Sequence, residues 1–104
     1  MLESEVFRAL ADPTRRAVFE RLSQGEMSVS ELKSGFSVSQ PAISQHLAAL
    51  KCAGLVSERR EGRRTYYRSD PGGLASLADW VQRYRVLWPA RIEKLKHVLK
   101  DMDR

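Results

Sequence analysis

Two closely spaced helix starts, at Ser28 and Ser39, constrain the fold of this chain more than any other feature. Glu31 follows Ser28 at the spacing at which a serine hydroxyl and a glutamate carboxylate satisfy free amides of a helix's first turn. Pro41 is compatible with a helix that starts at Ser39. Proline lacks a backbone amide hydrogen, but the amides of a helix's first turn have no helical partner in any case. The predicted elements are a helix from Ser28 to about Ser34, a tight connection from Gly35 to Val38, and a helix from Ser39 to the stop at Gly54. Two short helices joined in this way form a helix-turn-helix.

Apolar periodicity predicts further helices on both sides of this pair. Glu3–Ala11 and Thr14–Leu22 each place apolar side chains on one face, and Asp12-Pro13 separates them because a proline restricts the residue before it. After residues 70–73, apolar residues recur at spacings of three or four, which predicts a long helix that Pro89 must kink or split. The residues of that stripe are Leu74, Leu77, Val81, Tyr84, Trp88, Ile92, Leu95 and Leu99.

Strand-type residues fill Leu55–Arg60 and Arg63–Arg68, on either side of Glu61-Gly62. A glycine there can adopt the positive φ that a tight hairpin turn requires. Tyr66 and Tyr67 alternate sides of such a strand, so one of them is expected to pack inward. Residues 1–104 are therefore predicted to form one mainly α-helical domain, a winged helix-turn-helix of about five helices and a two-stranded β-hairpin, the wing.

Charge is distributed unevenly along this chain, whose net charge is +5 and whose pI is about 9.8. No acidic residue occurs between Glu31 and Glu58, and the segment from Glu58 to Arg68 holds five arginines against two glutamates. Such a surface favours a polyanionic partner, and double-stranded DNA is the partner that a helix-turn-helix binds. A solvated basic face is the alternative that charge alone leaves open.

Residue content argues against several classes of site. Cys52 is the single cysteine and there are two histidines, too few ligands for a transition-metal site of about four thiolates and imidazoles. We expect a cytoplasmic protein, because no signal peptide and no run of ~20 apolar residues is present. We also predict that the chain is no enzyme and needs no cofactor, because it has no paired carboxylates, activated nucleophile or phosphate-binding glycine loop.

The second helix of the pair is the predicted reading helix. At 100° per residue it places Ile43, Leu47 and Leu50 on one side and small or amide-bearing residues on the other. Glutamine can bond adenine through its amide, so Gln40 and Gln45 are the predicted base readers, although an ordinary polar surface has the same composition. The predicted DNA contacts of this helix are Ser39, Gln40, Pro41, Ser44, Gln45, His46 and Lys51.

The wing and His46 complete the predicted DNA interface. His46 borders the core face, so we expect a packed, hydrogen-bonded histidine or a phosphate contact rather than a metal ligand. Arg63 and Arg64 flank the hairpin turn and are predicted to enter a narrow minor groove, where negative potential concentrates. The other predicted wing residues, in contact with phosphates or with solvent, are Arg59, Arg60 and Arg68.

A resemblance to a known family rests on four segments: Phe7–Leu22 (FRALADPTRRAVFERL), Ser28–Leu32 (SVSEL), Ser39–Val56 (SQPAISQHLAALKCAGLV) and Glu61–Arg68 (EGRRTYYR). Together they resemble the ArsR/SmtB-type winged-helix repressors. The resemblance implies a homodimer joined through its first and last helices, which binds an inverted repeat in operator DNA and usually represses transcription. The implied interface residues are Val6, Phe7, Leu77, Trp80, Val81, Tyr84, Trp88, Ile92, Leu95 and Leu99.

The chain departs from the metal-sensing members of that family. They carry a Cys-x-Cys pair in the third helix or paired Asp, His and Glu ligands on the last one, whereas Glu31–Ser34 has no cysteine and the last helix has only scattered ligands. Thr14-Arg15-Arg16, Asp79-Trp80 and Trp88 resemble the metal-independent SdpR-type autorepressors. That resemblance implies a signal relayed by a protein partner or by the repressor's own level.

Two other functions remain open from the sequence. One is a winged-helix module that binds another protein through its wing or its C-terminal aromatic face, and the other is a protein that coats DNA without sequence preference. Salt weakens duplex binding steeply but not docking through an aromatic face, so salt dependence separates the first from a DNA-binding regulator. Trp80 and Trp88 could equally be core within one chain. The sequence names neither the operator nor an inducer.

Overall fold

Asp12 separates the first two helices of the computed structural model, α1 (Glu3–Ala11) and α2 (Pro13–Leu22). The structure describes residues 3–87 and 89–102, with the side chains of 4–84 and 93–102. An Asp12 carboxylate oxygen accepts a hydrogen bond from the Arg15 backbone amide at 3.0 Å, and the proline of the first helical position has no amide to leave unpaired. The predicted break is confirmed, and α2 begins one residue earlier than predicted.

Serine caps start the two central helices, α3 (Val29–Lys33) and α4 (Gln40–Cys52). The Ser28 hydroxyl accepts a hydrogen bond from the Glu31 amide at 3.2 Å, and Glu31 Oε1 accepts one from the Ser28 amide at 3.1 Å. The Ser39 hydroxyl accepts a hydrogen bond from a first-turn amide of α4 at 3.3 Å. Both predicted caps, and with them the helix-turn-helix, are confirmed.

Three antiparallel strands form the sheet: β1 (Met27–Ser28), β2 (Val56–Glu61) and β3 (Arg64–Ser69). Their order is β1-β3-β2, so β3 pairs with both of the others. Strands β2 and β3 form the wing, and Gly62 in its turn has the predicted positive φ, 62°. The predicted two-stranded hairpin is confirmed, and β1 adds a third strand that was not predicted, because it is too short to show an alternating pattern of its own.

The core lies between the first four helices and the start of β2. Ile43, Leu47 and Leu50 of α4 are fully buried, which confirms the predicted inward face. The other buried apolar residues are Val6, Ala9, Val18, Leu22, Leu32, Ala53, Leu55 and Val56. Tyr67 packs against this core, and Tyr66 lies on the other side of β3, as the alternation predicts.

Two helices, α5 (Ala75–Leu87) and α6 (Pro89–Met102), follow a short 3-10 helix over Pro71–Leu74. Residues 3–87 and 89–102 thus hold six α-helices instead of about five, because the predicted long helix is divided where Pro89 cannot donate a helical hydrogen bond. Gly73 lies so close to Gly54 that a β-carbon on it would be 2.1 Å from the Gly54 carbonyl oxygen. This approach fixes the start of the C-terminal helices against the end of α4.

The last helix lies apart from the core. Its described side chains, from Glu93 to Met102, are all exposed. The radius of gyration is 16.8 Å, against about 13 Å for a compact domain of this length. Within the described ranges, no helix is long and apolar enough to cross a membrane.

Candidate nucleic-acid interface

Helix α4 presents an uncharged polar face on the side opposite to its buried one. Pro41, Ser44 and Gln45 share this exposed face. Ser39 and Gln40 are exposed at the start of the helix, where Gln40 lies about 60° around the axis from Ile43. The amide and hydroxyl groups of these residues donate and accept hydrogen bonds without net charge. Both predicted base readers are therefore exposed, Gln45 on the outward face and Gln40 at the end of the same helix.

Three arginines at the far end of the wing are exposed, namely Arg60, Arg63 and Arg64. They form no hydrogen bond or ion pair with any residue in the part of the chain that the structure describes. Arg63 and Arg64 also line an open groove whose other wall is Ser28–Glu31 at the start of α3. These wing-tip arginines are available to an anion.

Lys51, a predicted DNA contact, is paired with a carboxylate of its own chain. Its ammonium nitrogen lies 2.5 Å from Glu58 Oε1, so the last turn of α4 is joined to β2. This hydrogen bond raises the pKa of Lys51 and lowers the pKa of Glu58. The Lys51 side chain stays half exposed, and its contact with DNA remains a prediction.

Arg59, predicted to contact phosphates or solvent, is paired within the chain. Its guanidinium donates hydrogen bonds to Glu26 and Glu61 and lies 5.0 Å from the ring centroid of Tyr66. The hydrogen bond to Glu26, and then that to Glu61, raise the pKa of Arg59. Its side chain is half exposed, but two carboxylates already pair with the guanidinium. Arg68, also predicted as a phosphate contact, donates from Nε to the Ser57 hydroxyl at 3.2 Å and stays exposed.

His46 lies at the edge of the polar face, half-buried, where it borders the core as predicted. Its Nδ1 is buried and has no hydrogen-bond partner among residues 3–87 and 89–102. Of the two predicted roles of His46, a hydrogen-bonded histidine has no support at Nδ1, and a phosphate contact remains a prediction. The Asp12 carboxylate is close enough for His46 to contribute to its lowered pKa, after the larger effect of the Arg15 amide. His46 thus faces the start of α2.

An aromatic and aliphatic surface runs along the terminal helices. The Phe7 and Trp80 rings meet edge to face at 5.2 Å between centroids, and the Trp80 and Tyr84 centroids are 4.6 Å apart. The large apolar side chains exposed in the described part of the chain are Phe7, Val81, Tyr84, Leu95, Val98, Leu99 and Met102. Six of these residues lie on α5 and α6, and Phe7 on α1.

Two residues of the predicted dimer interface pack against the core of their own chain. Val6 is 0% exposed, so the prediction that it lies at a subunit interface is wrong: its side chain points into the core of its own chain. Leu77 is half-buried and packs against the same core. Trp88 and the side chain of Ile92 lie outside the described residues.

Sequence reasoning missed Glu26 and the pair Val98 and Met102. Glu26 binds an arginine that is far away along the chain, so no local pattern indicates it. Val98 and Met102 could have been found, since they lie at helical spacing from Leu95 and Leu99.

Known proteins are similar to this chain in sequence. Residues 12–58 match the family described as "Bacterial regulatory protein, arsR family". The chain is 50% identical over 78 residues to the HTH-type transcriptional regulator Rv2034 of Mycobacterium tuberculosis, a match that covers 75% of this chain and 73% of that protein. The chain belongs to the ArsR family.

Two further ArsR-family relatives agree with the fold and the function. The transcriptional repressor SdpR of Bacillus subtilis is 35% identical over 81 residues, which cover 78% of this chain and 90% of SdpR. A solved homodimeric winged helix-turn-helix DNA-binding domain, Mb0332 from Mycobacterium bovis, is 37% identical with a TM-score of 0.64, covering 78% of this chain and 75% of that one. The chain is therefore a DNA-binding transcriptional regulator and not an enzyme.

Replacing both Arg63 and Arg64 by alanine in this ArsR-family protein should weaken binding to operator and random duplex alike. The slope of log affinity against log salt should flatten by roughly one unit per lost phosphate contact, because fewer counterions are released. If a tip arginine enters a narrow minor groove, operators with A·T-rich flanks should lose more affinity than those with G·C-rich flanks. Binding isotherms at several salt concentrations measure both effects.

The matched control replaces Lys94 and Lys100 of α6 by alanine, which removes the same charge far along the chain from the wing. It should leave the slope unchanged. An unchanged slope in the arginine variant would remove the wing tip from the DNA interface.

Proposed function

We propose that this chain is a homodimeric repressor that binds an inverted-repeat operator in the cytoplasm without a metal cofactor. Each subunit places α4 in a major groove and its wing tip against a neighbouring minor groove. The observation that carries the proposal is that one chain combines an uncharged, hydrogen-bonding face on α4 with arginines at the wing tip that form no ion pair in the described part of the chain.

The exposed face of α4 suits direct reading of bases. Gln40 and Gln45 each carry an amide that can bond adenine through two atoms, and Ser44 can donate or accept at a base or a phosphate. Pro41 is compact, and Ala48 lies exposed further along the helix, so the backbone can approach the base edges closely. With Lys51 paired to Glu58, this surface discriminates bases more than it attracts phosphates.

The wing tip supplies the charge that the helix face lacks. Arg63 and Arg64 lie at the turn, where a hairpin can reach into a narrow minor groove, and Arg60 is placed to contact the adjoining backbone. Affinity would then come mainly from the wing, and sequence preference mainly from α4.

A second copy of the chain is proposed to cover the apolar side chains of the terminal helices. Leu95 is 58% exposed on α6, and Phe7 and Tyr84 remain partly exposed around Trp80. A two-fold dimer brings the same patch of both subunits together, and its symmetry matches that of an inverted repeat. The homodimeric Mb0332 domain supports this arrangement.

Gln45→Ala should lower sequence preference more than general affinity. The loss on the preferred operator should be on the order of 1 to 3 kcal/mol, with binding to random duplex nearly unchanged, because the amide reads a base. The operator is first selected from genomic fragments, and isotherms are then measured on operator and scrambled duplexes. Gln82→Ala removes an exposed glutamine from α5 and should change neither. Full operator preference in Gln45→Ala, together with normal binding by the variant that lacks Arg63 and Arg64, would show that neither element is placed on DNA as proposed and would favour the protein-interaction module.

Leu95→Asp should shift the protein from dimer to monomer and weaken operator binding at the same time, because it places a charge in an apolar interface. Sedimentation equilibrium at micromolar concentrations measures the mass. His97→Asp is the control: it introduces the same charge on another side of α6, where the residue is exposed. A wild-type monomer at these concentrations would contradict the dimer.

Zinc, cadmium and arsenite should leave operator affinity unchanged within about twofold, since a metal shifts this equilibrium only if it binds the free and DNA-bound states differently. The proposal rests on one cysteine and two histidines in the whole chain. Metal is titrated into a DNA-binding assay under reducing conditions, beside a chelator-treated sample. Stoichiometric loss of affinity with any of the three would show a metal-sensing repressor.

A further inference from the structure

Each of the three guanidinium nitrogens of Arg59 donates a hydrogen bond to a carboxylate. Its Nε and Nη2 donate to the two carboxylate oxygens of Glu26 at 3.2 and 2.6 Å, and its Nη1 donates to Glu61 Oε2 at 2.8 Å. The face of its guanidinium lies over the Tyr66 ring, 5.0 Å from the centroid. This bidentate pairing has a fixed geometry that a single point charge could not reproduce.

The partners of Arg59 lie on three different strands or next to them. Glu26 directly precedes β1, Glu61 is the last residue of β2, and Tyr66 is opposite Arg59 in β3. Strand β1 also ends at Ser28, which caps α3 of the helix-turn-helix. Arg59 therefore joins the wing to the segment that leads into the helix-turn-helix.

A phosphate would gain little at this position. Glu26 and Glu61 both pair with the Arg59 guanidinium, so an incoming phosphate would have to displace one of these carboxylates. The exposed Arg60, Arg63 and Arg64 present no such barrier. Arg59 thus differs in kind from the wing-tip arginines.

We propose that Arg59 is a positioning residue for DNA binding, which sets the orientation of the wing relative to α4 through Glu26 and Glu61 and does not contact DNA. The inference rests on the proposed function. Exposed ion pairs contribute little to folding stability. Loss of the Arg59 pairs should therefore change the orientation of the wing and leave the free energy of unfolding nearly unchanged.

Arg59→Lys separates positioning from contact, because lysine keeps the charge but cannot bridge both Glu26 oxygens in the same fork. If Arg59 positions the wing, this variant should bind operator about tenfold more weakly, within the range of coupling between neighbouring residues. Its binding to random duplex should fall by less than its binding to operator, because the wing-tip arginines keep their charges and random duplex requires no fixed orientation of the wing. Wild-type operator affinity in Arg59→Lys would overturn the proposal.

Glu26→Gln gives a second test, because a positioning role and a simple charge effect predict opposite changes in operator affinity. Loss of a negative charge near DNA would by itself raise affinity, and it would also free Arg59 for a phosphate. The proposal predicts the opposite, a fall of about the same size as in Arg59→Lys, and no further fall when the two changes are combined. A rise in operator affinity would overturn it.

Arg21→Lys is the matched control, because Arg21 is an exposed arginine of α2, outside both the wing and α4, whose Nη1 donates, among the described residues, only to the neutral Gln24 side chain, at 3.4 Å. It should bind like the wild type. Circular dichroism and thermal unfolding check that each variant is folded at the assay temperature. A wild-type protein without any preferred duplex would contradict the proposed function, whereas normal binding by Arg59→Lys beside a selective wild type contradicts only the positioning role.

Discussion

Burial of one face of α4 is the constraint on which the rest of the structure depends. Ile43, Leu47 and Leu50 fill the core between the other helices, and truncation of such a leucine to alanine costs about 2 to 5 kcal/mol. A rotation of α4 would bury amides without partners, which is costly too. The helix is therefore held in the one rotation that exposes Ser44 and Gln45.

Internal carboxylates decide which cations remain for a partner. Glu58 pairs with Lys51, and Glu26 and Glu61 pair with Arg59, so the base of the wing is neutralised while its tip is not. The net charge of +5 therefore says less about DNA contact than the position of the unpaired arginines. The same ion pairs join the wing to α4 and to the segment before β1. They therefore both neutralise these cations and hold the wing in place.

The features predicted correctly from the sequence depend on neighbours along the chain. Ser28 with Glu31 marks a helix start, and Gly62 marks a turn, because capping and positive φ involve only a few residues. The features that were missed depend on distant segments. Strand β1 exists only through its pairing with β3, and Glu26 finds its partner only once that sheet has formed. Burial of Val6 likewise follows from how α1 packs, since a helical stripe does not say which chain covers it.

A structure of the protein bound to its selected operator tests the central claim most directly. The account predicts the α4 face in the major groove of each half-site, with the Gln45 amide within about 3.2 Å of a base edge. It also predicts Arg63 or Arg64 at the adjoining minor groove while Arg59 stays on Glu26. A complex in which the α4 face points away from DNA, with the duplex held by another surface, would contradict the account.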